Sequence, residues 1–189
     1  DNIIDILKAK KNTTEENGMR NAHIRDGVAL TKFIYWIKNK KNNSQSEISA
    51  SNYLDNLRSK NKNFFSLSFP TIAGSGPNGA IVHYRASKKT NRKLKKNDLF
   101  LVDSGAQYFD GTTDVTRTIA FSKVTNEQKK MYTLVLKGHI AVALSTFNEK
   151  ESGKTLDRHA RKFLKKEKLN FDHGTGHGVG CFLNVHESP

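Results

Sequence analysis

The stretch that most restricts what this chain can become is residues 99–121, LFLVDSGAQYFDGTTDVTRTIAF. An apolar run ends in Asp103, Asp110-Gly111 offers a turn, and a Thr- and Val-rich return carries Asp114. The pattern predicts a β-ribbon holding two carboxylates. Two registers are open. A ribbon centred on Tyr108-Phe109 sets Asp103 opposite Asp114, and like charges opposed on one sheet face are destabilising unless something neutralises them. A turn centred on Asp110-Gly111 sets Asp103 opposite Thr118, with Gly105 available as a bulge or bend that brings the acids together again. Taken alone, both aspartates read as strand-end and turn residues.

The far end of the chain weighs against that reading. His173 and His177 lie in HGTGHGVG (173–180), and FLNVHE follows with His186 and Glu187. Histidines in and just after a glycine-rich, non-helical loop suit metal or substrate contact better than core packing, because glycine lets the backbone approach a ligand closely. Carboxylate oxygen with imidazole nitrogen is a donor set that accommodates Mn, Co, Zn or Fe(II).

Three blocks, FPTIAGSGPNGAIVHY (69–84), DSGAQYFDGTTDVTRT (103–118) and HGTGHGVGCFLNVHE (173–187), stand in the order of the signature blocks of aminopeptidase P. The chain resembles that enzyme over nearly its whole length, and with it the creatinase, prolidase and methionine-aminopeptidase group. The resemblance implies an α+β, pita-bread fold, incomplete, with an antiparallel sheet flanked by helices. It implies two divalent metal ions, commonly manganese, with Asp103, Asp114 and His177 matching ligands. His83, His173 and His186 match non-ligand histidines that position the peptide and assist proton movement. The substrate implied is a peptide with proline in the second position, which loses its first residue.

Two glutamates of the family's metal site follow the HExP segment, where this chain has ended, and Glu187 matches neither. The whole of 1–189 is therefore expected to be a catalytic domain without its C-terminal glutamate-bearing strands and without preceding domains, binding metal weakly. Such a chain admits a complementing C-terminal fragment, and a homodimer. Ser188 replaces the family's usual glycine. The alternative reading is a catalytically inactive pita-bread module that binds peptides or proteins.

Bulk properties narrow the remaining classes. At 189 residues one domain is the natural expectation. The net charge of +14 raises nucleic acid as a partner. The basic residues, however, fall in scattered groups (8–11, 38–41, 88–96, 158–168), often among asparagines and without interleaved aromatics, so no specific nucleic-acid partner is expected. No apolar run approaches a bilayer's thickness and the first residues lack a signal-peptide core, so a cytoplasmic location and no membrane partner are expected. The lone Cys181 agrees with a reducing compartment and reads as a small buried residue.

Along the chain, 12–16 offers a capped start to a long amphipathic helix, with Met19, Ala22, Leu30, Phe33, Ile34 and Ile37 on one face, Asp26 as its polar exception, and Lys38 to Lys41 at its end. The His23-Ile24-Arg25-Asp26 segment reads as structural. A second helix spans 47–58. Residues 65–69 predict a strand closed by Pro70, 74–79 a loop, 80–84 a short strand carrying His83, and 91–97 a basic loop. Thr125-x-x-Gln128 predicts a capped helix burying Met131, Leu134, Val135, Gly138, Ala141 and Val142. A last helix begins at Thr155, with Leu156, Ala160, Phe163 and Leu164 inward and Arg158, Arg161, Lys162, Lys165 and Lys166 outward.

Overall fold

The computed structural model describes residues 3–39, 44–148, 151–182 and 184–187, so the expectations for Lys40, Lys41, Leu183 and Ser188 lie outside the described residues. Two compact units emerge, Asp1–Lys123 with Gly178–Ser188, and Val124–His177.

In the first unit α1 (Ile3–Ala9) precedes α2 (Thr13–Asn39). The start of α2 is a reciprocal cap: Glu15 N donates to Asn12 Oδ1 at 3.0 Å and Asn12 N to Glu15 Oε2 at 2.9 Å, which satisfies two donors that a helix end leaves orphaned. Ser46 and Ser49 do the same for α3 (Glu47–Ser59). Among the described residues the expected antiparallel pairing falls into three small sheets. One has the order β1 (Phe64–Leu67), β4 (Ala106–Tyr108), β5 (Gly111–Thr112), and another β2 (Ile72–Ser75), β3 (Leu99–Ser104), β6 (Val115–Ala120). β7 (Gly178–Val179) pairs with β8 (His186–Glu187).

The expected apolar face of α2 is the one that packs. Leu30, Phe33 and Ile37 meet Ala50 and Leu54 of α3 and close over Ala73, Phe100, Val102 and Ile119 of the β2–β3–β6 sheet, with Leu94 from the basic loop joining them. Two strand expectations are corrected. In β1 it is Phe64 that packs inward, edge-on to Tyr108, whereas Phe65 is 57% exposed beside Phe109 and Phe182. β2 occupies part of what reads as irregular chain, because its residues pair along β3 from Ile72↔Asp103 to Ser75↔Phe100.

Asp26 is buried because it has a partner from α3. Arg58 donates through Nε to Asp26 Oδ1 and through Nη2 to Oδ2, each at 2.8 Å, and both side chains are essentially unexposed. Tyr108 OH donates to Asp26 Oδ1 at 2.8 Å, Asn61 Nδ2 donates to Tyr108 OH at 3.0 Å, and Arg58 Nη2 reaches Ser104 O at 3.4 Å. The network therefore ties α2 and α3 to the end of β3, next to Asp103. Burial, and then the negative Asp26, push the Tyr108 hydroxyl far above its ordinary value of 10.0. A raised folded-state value contributes stability that is fully present below pH 10 and lost above it, where the unfolded chain ionises and the folded one does not. Tyr108→Phe is expected to reduce the loss of stability between pH 9.5 and 11, read from urea midpoints at each pH.

The second unit is the helix pair α4 (Asn126–Ala143) and α5 (Gly153–Lys166). Thr125 and Gln128 form the expected capping box, with Gln128 N donating to Thr125 Oγ1 at 3.1 Å and Thr125 N to Gln128 Oε1 at 2.9 Å. The helices touch most closely at Gly138, where a Cβ would stand 2.1 Å from Ala160 O. Gly138 is buried as expected, whereas Val135 is 54% exposed within a cleft.

Candidate metal centre

Asp103 and Asp114 sit on one continuous ribbon. The pairs Asp103↔Thr116 and Ser104↔Val115 in one sheet, and Gln107↔Thr112 and Tyr108↔Gly111 in the next, share a single register around a tip at Phe109-Asp110. Both registers considered from the sequence are thereby corrected: Thr116, not Asp114 or Thr118, faces Asp103, and its hydroxyl donates to Asp103 Oδ1 at 2.7 Å. Asp114 stands two residues before Thr116, between β5 and β6, where the chain passes from one sheet to the next.

Gly105 is what lets the ribbon pass from one sheet to the other. Opposite it the chain comes so close that a Cβ would stand 1.8 Å from Thr113 O and 2.5 Å from Ser68 Oγ. Ser68 pins the bend, donating from N to Gly105 O at 3.2 Å and from Oγ to Thr113 O at 2.9 Å. The tip is held by Arg25 of α2, which pairs with Asp110 and lies over the Tyr108 ring. His23, one turn from Met19, is exposed and accepted there as structural, its Nδ1 on Met19 O at 2.8 Å.

His83 is not on a strand. Gly76–Ala80 is a 3₁₀ turn, and His83 follows it, exposed, in the left-handed region at φ 55°. The expected strand is overridden by Glu47, a fully buried carboxylate on α3 that gathers this segment. Its Oε1 accepts from Ser75 N at 2.8 Å and Asn78 Nδ2 at 3.0 Å, and its Oε2 from Tyr84 OH and Arg92 N, both at 2.9 Å. Four donors satisfy a buried carboxylate as an apolar site could not.

His186 lies on β8, exposed, with Val179 opposite it. Next to it Glu187 is ion-paired with Lys11 at 2.5 Å, a structural role. Burial, with Glu15 next, pushes the Cys181 thiol up, away from the thiolate that metal binding or nucleophilic attack needs.

His173 and His177 belong to the second unit. There they line a cleft of about 680 Å³ together with His139, whose apolar wall is Val135, Val142, Leu156, Ala160 and Phe171. His173 Nδ1 is 2.7 Å from Gly174 O. A carbonyl can only accept, so this bond makes Nδ1 the protonated nitrogen and leaves Nε2 as an acceptor. Arg161, expected outward, is instead folded onto the loop that carries His173.

Among the described residues no group of three or more His, Cys, Asp and Glu is gathered closely enough to hold a metal ion. The ribbon carries Asp103 on one arm and Asp114 on the other. In kind, these carboxylates and the imidazole of His177 fit a divalent ion. Glu47 and Arg58 act through partners 28 or more residues away, and Arg161 reaches Asn170, Phe171 and His173 nine to twelve residues on, so none of these contacts carries a local signal in the sequence.

Comparison with known proteins gives the family to which a chain with this two-acid ribbon belongs. Metallopeptidase family M24 is matched over residues 17–189, and the chain belongs to that family. Among its relatives, the probable Xaa-Pro aminopeptidase P of Paracoccidioides brasiliensis strain Pb03 is 53% identical over 98% of this chain and 31% of its own length. That of Podospora anserina is 51% identical over 96% of this chain and 27% of its own length. The crystal structure of X-prolyl aminopeptidase from Caenorhabditis elegans, described as a cytosolic enzyme with a di-nuclear active site, superposes with a TM-score of 0.94 at 44% identity, covering 100% of this chain and 31% of that one. Prolidase from Pyrococcus furiosus gives 0.85 at 28% identity, over 99% of this chain and 53% of its own. The fold is thus the pita-bread fold expected, and the chain spans about a third of the length of the curated relatives it matches.

Proposed function

We propose that 1–189 is part of the catalytic domain of a metal-dependent aminopeptidase that removes the first residue from peptides with proline in the second position. The observation that supports this reading is the single-register ribbon that carries Asp103 on one arm and Asp114 on the other. Specificity for proline is supported by 53% identity to an Xaa-Pro aminopeptidase P along 98% of the chain.

Asp103, Asp114 and His177 would hold divalent ions, two of them and manganese by preference. When bound, such ions supply Lewis-acid polarisation of the scissile carbonyl and lower the pKa of the attacking water. His173, with Nε2 as acceptor, can take a proton or receive a hydrogen bond from the peptide, and can return that proton to the leaving amine. His83 and His186, both exposed, are the remaining peptide contacts. The family's glutamate ligands are assigned to residues outside these 189, since the match covers 31% of the relatives' length. The segment alone would then bind metal weakly, and a complementing fragment or a homodimer is part of the same proposal. So is a cytosolic location, which the Caenorhabditis elegans neighbour supports. Among the described residues no helix is long and apolar enough to cross a membrane.

The test uses the protein at its natural full length, with Xaa-Pro-Pro and Xaa-Ala-Pro tripeptides, before and after treatment with a chelator. Release of the first residue from the Xaa-Pro peptide, abolished by chelation and recovered with manganese, is expected. Equal release from both peptides, or cleavage that survives chelation, would overturn the reading.

A further inference from the structure

Arg161 stands among Arg158, Lys162, Lys165 and Lys166 on α5, where a solvated charge is the ordinary reading, yet its side chain is only 12% exposed. The guanidinium is used on every edge. Nε donates to Asp157 Oδ1 at 2.7 Å, one turn back on the same helix. Nη1 donates to Asn170 Oδ1 at 2.8 Å and to Phe171 O at 2.5 Å, and Nη2 to His173 O at 2.8 Å. Its plane lies 3.8 Å from the centre of the Phe171 ring, and that ring is stacked on the His173 imidazole at 4.7 Å. Asp157 completes the hold by accepting from Thr175 Oγ1 at 2.6 Å. One i,i+4 ion pair therefore grips the segment from 170 to 175 at four chain positions, and the gripped peptide is the one that aims His173.

We propose that Arg161, braced by Asp157, is a positioning residue that sets the orientation and tautomer of the His173 imidazole for the peptide. The role rests on reading His173 as a peptide-site residue. A lysine does not substitute, because a single ammonium cannot serve the carbonyls of residues 171 and 173, the Asp157 carboxylate and the Phe171 face together. The glycine-containing loop has no regular hydrogen-bond ladder of its own at 170–175, so its shape depends on these donors. Small displacements of an aligned group reduce turnover steeply, by about 100-fold for an ångström.

The experiment compares full-length wild type with Arg161→Lys and Arg161→Ala. Thermal melts show that the variants are folded. Two-bond ¹⁵N–¹H spectra of His173 report the tautomer independently of activity, and Xaa-Pro-Pro kinetics report kcat and KM separately. The wild type is expected to show Nδ1 protonated and Nε2 bare. Both variants are expected to show an averaged imidazole pattern and a fall in kcat of about 10–100-fold with little change in KM. Added guanidinium ion, and not ammonium, should recover part of the Arg161→Ala loss. An unchanged His173 spectrum in both variants, or wild-type kcat in folded Arg161→Ala, would overturn the assignment. A wild type that cleaves no Xaa-Pro peptide refutes the proposed function instead, and the spectra then still decide whether Arg161 sets the imidazole.

Discussion

Arg58→Met is expected to destabilise the first unit by about 3–5 kcal/mol, because it leaves the Asp26 carboxylate buried without its counter-charge. Stabilities of whole domains are only about 5–15 kcal/mol, so the variant should approach unfolding at physiological temperature. The reason lies in the geometry. Arg58 and Asp26 make two parallel bonds of 2.8 Å with neither side chain exposed, and water cannot replace the lost partner without opening the contact between α2 and α3. Arg58 Nη2 also meets Ser104 O, the residue beside Asp103, so the damage should reach the end of β3 that carries Asp103. The double variant Asp26→Leu with Arg58→Met separates the charge from the packing. Removing both members of a buried pair is often close to neutral, so the double variant should recover most of the loss. Urea denaturation of the three proteins measures this. A single variant that loses less than about 1 kcal/mol, the range of a surface pair, would show that the pair is not isolated from water.

Gly105→Ala should be nearly as damaging, for a different reason. Its new Cβ would meet Thr113 O at 1.8 Å and Thr113 C at 2.6 Å. These are backbone atoms of the facing strand, which cannot swing aside as a long side chain would, so the ribbon must part at the point between Asp103 and Asp114. A loss of about 3 kcal/mol or more is expected, at the upper end of overpacking effects, together with loss of metal retention. Gly27→Ala on α2 is the control. Nothing lies within 4 Å of the Cβ it would gain, and alanine in place of helical glycine should stabilise by about 0.4–1 kcal/mol. Comparable stability changes at the two positions would mean that the close approach at Gly105 is relaxed in solution.

Of the helices, α2, α3 and α4 were legible, and their starts are written locally. Asn12 with Glu15, Ser46 with Ser49, and Thr125 with Gln128 each close a cap within three residues, and the α2 stripe from Ala22 to Ile37 repeats at helical spacing. The register of the ribbon was not legible, since Asp110-Gly111 and Tyr108-Phe109 are both acceptable turn centres. What selects Phe109-Asp110 is the combination of Arg25 on Asp110, the close approach at Gly105 and the Ser68 bonds, all supplied by distant chain. The strand expected at 80–84 failed similarly: Glu47, more than thirty residues earlier, draws Tyr84 and Asn78 inward and leaves His83 in a turn. Arg161 was read outward from helical periodicity, which describes a helix face and does not register acceptors on a loop 9–12 residues further on. Residue types at the candidate metal site were readable from motif alone; the elements that aim them became visible only in the fold.

The most direct measurement is metal content per chain in the natural full-length protein after manganese loading and dialysis, for the wild type, Asp103→Asn and Asp114→Asn. Each substitution keeps the side chain's size and removes one negative oxygen donor. Two retained ions in the wild type, with retention lost in both folded variants, is the expected result. Retention unchanged in either variant would contradict the assignment of the ribbon's paired carboxylates as metal ligands.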